Sequence, residues 1–167
     1  MRALAPLWWT TGIVLILDQI TKVLVVQVMD LKTVGRIEVI EPFLVFRMAW
    51  NRGVNFGLFS GGSDVMRWVL IGVALAITAW LIWWMHRDRP GRWVQIAAGL
   101  VVGGAIGNVI DRLLYGAVAD FLNMSCCGFE NPYSFNVADI SIFLGAVALI
   151  FVGGDGPKGR DAAEKGS

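Results

Sequence analysis

The stretch FNVADISIFLGAVALIFVGG, residues 135–154, has the composition of a membrane helix but carries one acidic residue close to its start. From Ile140 onward the segment is almost wholly apolar or small, as expected of a helix in lipid. Asn136 and Asp139 have the spacing of a capping box, in which two side chains bond each other's backbone N–H groups. The helix dipole also favours an acid in this position. Asp139 is therefore either a structural cap or a functional carboxylate at the membrane boundary.

The composition of the whole chain excludes several classes of protein. Of its 167 residues, 56% are hydrophobic and 16% are charged, which indicates a membrane protein. A net charge of +1 provides no broad basic surface, so nucleic-acid binding is excluded as a function. Cys126 and Cys127 are adjacent and match neither a CxxC pair nor a zinc site. We interpret them as packing residues, with a vicinal disulfide as the alternative.

The predicted fold is a mainly α, polytopic membrane protein with four transmembrane helices. The four apolar segments cover about residues 7–29, 68–85, 93–114 and 135–152. The first segment is too long for the apolar part of a signal peptide and contains Asp18 and Lys22, so we expect it to remain as a helix. Residues 1–153 are predicted to form a single membrane-embedded domain.

The orientation follows from the short connections between the segments. The connection HRDRPGR, residues 86–92, contains three arginines, whereas the connection 116–134 contains neither Lys nor Arg. Basic residues concentrate in cytoplasmic loops, which predicts that both termini are cytoplasmic and that the second connection faces outward. The Gly-rich polar tail, residues 154–167, is predicted to be disordered in the cytoplasm.

The long outer connection is predicted to form a small platform on the membrane surface, over about residues 31–65. Residues 34–50 contain β-branched and aromatic residues in partial alternation, interrupted by Pro42, which indicates a small β-sheet. The following stretch NRGVNFGLFSGGS, residues 51–63, is predicted to contain a turn and a short amphipathic helix.

Charged residues inside membrane segments are costly and are therefore candidates for function. Asp18 and Lys22 lie four residues apart on one helix face, where a structural ion pair is the favoured interpretation and a chemical role the alternative. In GGAIGNVIDR, residues 103–112, the glycines let a neighbouring helix approach closely. Asn108 and Arg112 share a face there, which predicts a hydrogen-bond network.

Topology brings two acids to the same membrane face. Asp120 follows the third segment as it leaves the membrane, and Asp139 lies where the fourth segment enters from that side. Two neighbouring carboxyl groups cannot both ionise cheaply, so one keeps its proton while the other acts as a base, as in aspartic peptidases. Taken alone, Asp120 would be interpreted as a solvated acid in a loop.

An ion-relay transporter and a structural scaffold are the alternative functions for a membrane protein with such acids.

Other peptidase chemistries fit the sequence poorly. It contains no HExxH zinc motif, and the single histidine, His86, is predicted to lie on the cytoplasmic side, away from any outward-facing serine. No metal or other cofactor is expected.

Five short blocks occur along the chain in the order typical of one family. They are DQITK (18–22), NRGVNFG (51–57), GGAIGNVIDR (103–112), GAVADF (116–121) and FNVAD (135–139). In these blocks the chain resembles bacterial lipoprotein signal peptidase, also called signal peptidase II. Two departures are Ala119, where valine is more usual, and Val54-Asn55, where two small residues are more usual.

The resemblance implies an intramembrane aspartic endopeptidase of the bacterial cytoplasmic (inner) membrane, with its site near the outer face. Its substrates would be prolipoproteins, cut immediately before a cysteine that bears a diacylglyceryl group, and it would work as a monomer among membrane lipids. The implied catalytic pair is Asp120 and Asp139. The implied substrate-site residues are Asn51, Gly104, Asn108, Arg112 and Asn136. The implied supporting residues are Asp18, Lys22, Gly53 and Asp111.

Overall fold

The computed structural model describes residues 4–41, 43–53, 63–126 and 131–153, which form five helices, a π-helical segment and three strands. In chain order the elements are α1 (Ala5–Lys22), the π-helical segment (Val23–Val28), α2 (Leu31–Val34), β1 (Arg36–Ile40), β2 (Leu44–Asn51), α3 (Ser63–Asp88), α4 (Arg92–Tyr115), β3 (Val118–Met124) and α5 (Val137–Gly153). The predicted fold class, mainly helical with a small sheet, is confirmed.

Three helical stretches in the described residues have the length and hydropathy needed to cross a membrane. They are Ala5–Val28, Asp64–Asp88 and Arg92–Tyr115. The fourth predicted membrane segment forms α5, which is apolar but has 17 residues, the lower limit of about 17 residues for a membrane span. The second predicted membrane segment forms α3, which begins at Ser63 and not at about residue 68 as predicted. Its first turn therefore occupies the end of the predicted platform.

Helix α4 is the centre of the bundle and packs against α1, α3 and α5. Its glycines allow the closest approaches. A Cβ on Gly104 would lie 2.5 Å from the carbonyl oxygen of Ala138 on α5, and one on Gly107 would lie 2.6 Å from Oδ2 of Asp18 on α1. The small residues of α4 therefore bring the first turn of α5 and the Asp18 carboxylate against the helix.

The sheet is antiparallel with the order β1-β2-β3. The predicted platform supplied only β1 and β2, because the third strand comes from the connection after α4. In the β2–β3 register, Asn51 pairs with Val118 and Ala49 pairs with Asp120. Asp120 thus lies on a strand and is only 3% exposed, so its interpretation as a solvated loop acid is wrong.

The sheet is attached to the helices by a small apolar core. Val25 and Val26 of the π-helical segment pack with Leu31 of α2 and with Ala119 and Phe121 of β3. This core fixes β3, the strand that carries Asp120, above the end of α1.

Three predicted features fall wholly or partly outside the described residues. Cys127 is outside them, and Cys126 is exposed, so the interpretation of Cys126 as a packing residue is wrong. The short amphipathic helix was expected mainly within residues 54–62, and the disordered tail was expected over residues 154–167.

We expect Gly104→Ala to destabilise the packing of α4 on α5. The added methyl group would meet backbone atoms of Ala138, which cannot rotate away, so the expected cost is about 1–3 kcal/mol. Thermal unfolding in detergent measures the change. Gly72→Ala on α3 is the matched control, because nothing lies within 4 Å of its Cβ position. Equal melting temperatures for the two variants would show that close packing is not what Gly104 provides.

Candidate active site

One asparagine links the two acids that the sequence singled out. The Nδ2 group of Asn136 donates to Oδ1 of Asp120 at 2.7 Å. The backbone N–H of Asp139 donates to Oδ1 of the same asparagine at 2.8 Å. Asn136 has no exposed surface. The structure therefore brings Asp120 of β3 and Asp139 of α5 together around a buried amide.

Asn108 of α4 provides a second link. Its Nδ2 group donates to Oδ1 of Asp139 at 2.9 Å, and its Oδ1 atom accepts a bond from Nδ2 of Asn136 at 3.3 Å. The two amides and two carboxyl groups thus form one connected hydrogen-bond network built from α4, β3 and the start of α5.

The capping interpretation of Asp139 is confirmed. The backbone N–H of Asn136 donates to Oδ2 of Asp139 at 3.4 Å, which is the reciprocal of the 2.8 Å bond from Asp139 to Asn136. These two bonds form the capping box at the start of α5. The same groups that begin the helix also hold the two acids, so the structural and functional interpretations apply to one arrangement.

A buried ion cluster lies behind the acids. The Nζ atom of Lys22 lies 2.8 Å from Oδ2 of Asp18 and 2.8 Å from Oδ2 of Asp111. Asp18 also accepts a bond from the backbone N–H of Ala138 at 3.0 Å, and Asp111 accepts one from the N–H of Ala119 at 3.1 Å. Each of these N–H groups belongs to the residue directly before one of the two acids. The predicted Asp18–Lys22 pair is therefore part of a three-residue cluster that fixes the backbone next to both acids.

Arg112 is the cation beside the pair. Its Nη1 group donates to the backbone oxygen of Asn108 at 3.2 Å, and its charge acts on Asp139 and Asp120. Its Nε atom is buried and has no hydrogen-bond partner among the described residues. A buried donor without a partner is costly, which makes Arg112 a candidate for binding a ligand oxygen.

Asn51 and Gly53 lie where β2 ends. Asn51 is exposed, its side chain acts to lower the pKa of Asp120, and its Oδ1 atom accepts a bond from the N–H of Gly53 at 3.0 Å. Gly53 has a φ of 90° and packs against Leu70 of α3, where a Cβ would meet Cδ1 at 2.6 Å. This turn directs Asn51 toward the acids and requires glycine.

The environment of Asp120 holds a proton unusually well. Burial and then the negative charge of Asp139 raise the pKa of Asp120 from 3.8 to about 7, although the side chain of Asn51, the bond from Asn136 and the charge of Lys22 act in the opposite direction. A carboxyl group that titrates near neutral pH suits acid–base chemistry. Among the described residues, no group of three or more His, Cys, Asp or Glu side chains is arranged to hold a metal ion.

A family model described as signal peptidase (SPase) II matches residues 10–153. The chain belongs to the signal peptidase II family. The family resemblance drawn from the five sequence blocks is confirmed, and membership of this family identifies the chain as a peptidase.

Individual relatives of this signal peptidase II chain align over most of its length. A lipoprotein signal peptidase from Methylobacterium sp. strain 4-46 is 41% identical over 141 residues, covering 84% of each chain. One from Rhodopseudomonas palustris is 42% identical over 145 residues, covering 84% of this chain and 87% of the relative. A solved bacterial membrane enzyme is 30% identical, with a TM-score of 0.73 over 87% of this chain and 90% of that chain.

Two site residues of this signal peptidase II chain were missed by sequence reasoning. Gln19 donates to Asp18 at 3.1 Å and to Asp111 at 3.3 Å, and its polarity within a membrane segment was a usable signal. Asn123 donates to the backbone oxygens of Asn131 and Tyr133, both at 2.8 Å, and so holds the chain that leads to α5. No local pattern distinguishes Asn123 from an ordinary polar strand residue.

We expect Lys22→Met to destabilise the protein strongly. The substitution leaves two carboxylates with 0% and 1% side-chain exposure without their cation, for which the expected cost is about 3–5 kcal/mol. Thermal unfolding in detergent measures it. A triple variant, Asp18→Asn with Lys22→Met and Asp111→Asn, should recover part of the loss because it removes the unpaired charges.

The control for Lys22→Met is Arg36→Met. Arg36 forms an exposed pair with Glu38 at 3.2 Å, and such pairs contribute at most about 1 kcal/mol. If the two single variants melted at the same temperature, the buried cluster would not have the role assigned to it.

We expect the difference in stability between Asp120→Asn and the wild type to shift in favour of the variant as the pH rises. Because folding raises the pKa of Asp120 to about 7, the native state binds this proton more tightly than the unfolded chain does. This stabilisation is complete below about pH 4 and is lost as the pH rises through about 7, whereas the amide variant has no such dependence.

Melting temperatures of the wild type and Asp120→Asn at about pH 5 and about pH 8 test the effect. The difference between the two proteins should move in favour of the variant at the higher pH. Asp64→Asn, an exposed position in the first turn of α3, should show the same difference from the wild type at both pH values. A difference for Asp120→Asn that did not change with pH would contradict the assignment.

Proposed function

We propose that this signal peptidase II family member removes the signal peptides of prolipoproteins by cleaving before a diacylglyceryl-modified cysteine, with Asp120 and Asp139 as its catalytic pair. The observation that carries the proposal is the network around Asn136. The carboxyl group of Asp120 and the backbone N–H of Asp139 are bonded to the same buried side-chain amide, and the charge of Asp139 raises the pKa of Asp120. The names of the relatives from Methylobacterium and Rhodopseudomonas support the substrate class.

The proposed reaction uses one ionised and one protonated carboxyl group. The carboxylate takes a proton from water while the water oxygen attacks the carbonyl carbon of the scissile amide, and the carboxylic acid donates its proton to the carbonyl oxygen. As the tetrahedral intermediate collapses and its C–N bond breaks, the carboxyl group that took the proton of water gives it to the leaving nitrogen. The other carboxylate recovers a proton from a hydroxyl group of the intermediate, which restores the starting pair. The products are a signal peptide with a new carboxyl terminus and a lipidated cysteine with a free amine.

The surrounding polar groups are proposed to hold the substrate backbone. Arg112 has a buried Nε donor that a substrate carbonyl can satisfy, and Asn51 lies at the exposed side of the pair. Asn108 and Asn136 bond the carboxyl groups directly, so we assign them to orienting the acids as well as the substrate. Gly104 lies against the backbone of Ala138 and is proposed to keep space for the start of α5.

The proposed location of the site is the outer face of the bacterial cytoplasmic membrane, with both termini in the cytoplasm. The two acids lie next to the end of α4 and the start of α5, and the arginine-rich connection 86–92 precedes the opposite end of α4. Basic residues favour the cytoplasmic side, which supports this orientation. A substrate anchored by acyl chains would present its scissile bond at this depth. The groups of the pair come from one chain, in keeping with a monomer.

The test is cleavage of a lipidated prolipoprotein by the purified protein in lipid nanodiscs. We expect Asp120→Asn and Asp139→Asn each to lower kcat by at least about 100-fold, because each removes one of the two proton-transfer groups. Asp64→Asn is the control with the same chemical change at an exposed position. Chelating agents should leave the wild-type rate unchanged. Near wild-type cleavage by either site variant, at matched folded protein, would rule out the proposed pair.

A further inference from the structure

We propose that in the resting protein Asp120 holds the proton of the pair and Asp139 carries the negative charge, and that the amide of Asn108 and the first turn of α5 favour this arrangement against the opposing bond from Asn136 to Asp120. The inference rests on the proposed catalytic pair and assigns a distinct role to each acid. Asp139 is then the base that activates water, and Asp120 is the acid that protonates the carbonyl oxygen. Asn136 and Asn108 are positioning residues.

The direction of every bond in the network is fixed by one backbone group. A side-chain amide can usually be turned over without changing its shape, so its donor and acceptor must be inferred from its partners. The backbone N–H of Asp139 can only donate, and it lies 2.8 Å from the Asn136 oxygen. The Asn136 nitrogen must then face Asp120 Oδ1 and the Asn108 oxygen, which leaves the Asn108 nitrogen to donate to Asp139.

Asp139 receives donors on both carboxylate oxygens. Oδ1 accepts from Asn108 at 2.9 Å, and Oδ2 accepts from the backbone N–H of Asn136 at 3.4 Å. It lies in the first turn of α5, where the helix dipole favours a negative charge, and the cation of Arg112 acts on it. N–H donors, the dipole and a nearby cation all stabilise the ionised form of a carboxyl group.

Asp120 has a less favourable setting for charge. It lies on a strand, without a helix terminus to stabilise it, and is 3% exposed, whereas Asp139 is only partly buried. Lys22 is the nearby cation from α1, but it already contacts Asp18 and Asp111 at 2.8 Å each. One positive and two negative charges leave that cluster with a net charge of −1, so it supplies no spare cation. The pKa of Asp120 near 7, raised by burial and by Asp139, agrees with the geometric argument.

Infrared titration of the protein in nanodiscs locates the proton without requiring turnover. The C=O band of a protonated carboxyl group should titrate near pH 7 in the wild type and be absent from this pH range in Asp120→Asn. In Asp139→Asn the band should remain and its midpoint should fall, because the neighbouring charge is gone while burial persists. Asp64→Asn should leave the band unchanged. A band that is lost in Asp139→Asn but kept in Asp120→Asn would overturn the assignment.

A second variant tests the positioning role of Asn136. Asn136→Ser keeps an oxygen that can cap α5 but lacks the amide donor to Asp120, and that donor lowers the pKa of Asp120. The band midpoint should therefore rise above that of the wild type, and an unchanged midpoint would mean that Asn136 only caps the helix. Because the infrared measurement does not depend on cleavage, it can fail while the cleavage assay succeeds, and the reverse is also possible.

Discussion

The contact between Lys22 and two buried carboxylates is the interaction on which the rest of the site depends. A lysine inside a membrane bundle is costly unless anions compensate it, and Asp18 and Asp111 do so from α1 and α4. Each carboxylate also accepts a backbone N–H, from Ala138 and from Ala119. Segments from three distant parts of the sequence are thereby held around a single ammonium group. The acids follow directly after the two anchored residues, so their separation is set by this cluster and not by their own side chains.

The glycines of α4 make that arrangement sterically possible. A side chain at Gly107 would occupy the space of the Asp18 carboxylate, and one at Gly104 would displace the backbone at the start of α5. Close helix packing and the polar site thus have the same cause. The capping box adds a further connection, because Asn136 both begins α5 and bonds Asp120. Stability and the proposed chemistry therefore share residues, and a change at Asn136 or Gly107 is expected to affect both.

Sequence reasoning succeeded where contacts are local and failed where they are not. Helical periodicity predicted the Asp18–Lys22 pair and the Asn136–Asp139 cap, because residues three or four apart meet on one helix. It did not predict that Asp111 completes the ion cluster or that Gln19 bridges its two acids, since both contacts join α1 to α4. Strand β3 was missed because VADFLNM does not alternate apolar with polar residues as a half-buried strand does. Its pairing with β2 is decided by packing on the π-helical segment and not by local pattern. The pairing of Asp120 with Asp139 came from topology and from the family resemblance.

The anchoring of Ala119 and Ala138 through their backbone N–H groups limits which substitutions can accumulate beside the acids. The hydrogen bonds use no side-chain atom of either alanine, so the departure from the more usual valine at position 119 leaves the anchor intact. Proline is the one residue that cannot donate such a bond, and it is therefore excluded at both positions. Related sequences can vary in the size of these two side chains only as far as the surrounding packing permits, while the main-chain attachment stays constant. Substitutions at positions 119 and 138 can therefore change a side chain without removing the hydrogen bond that positions the neighbouring acid.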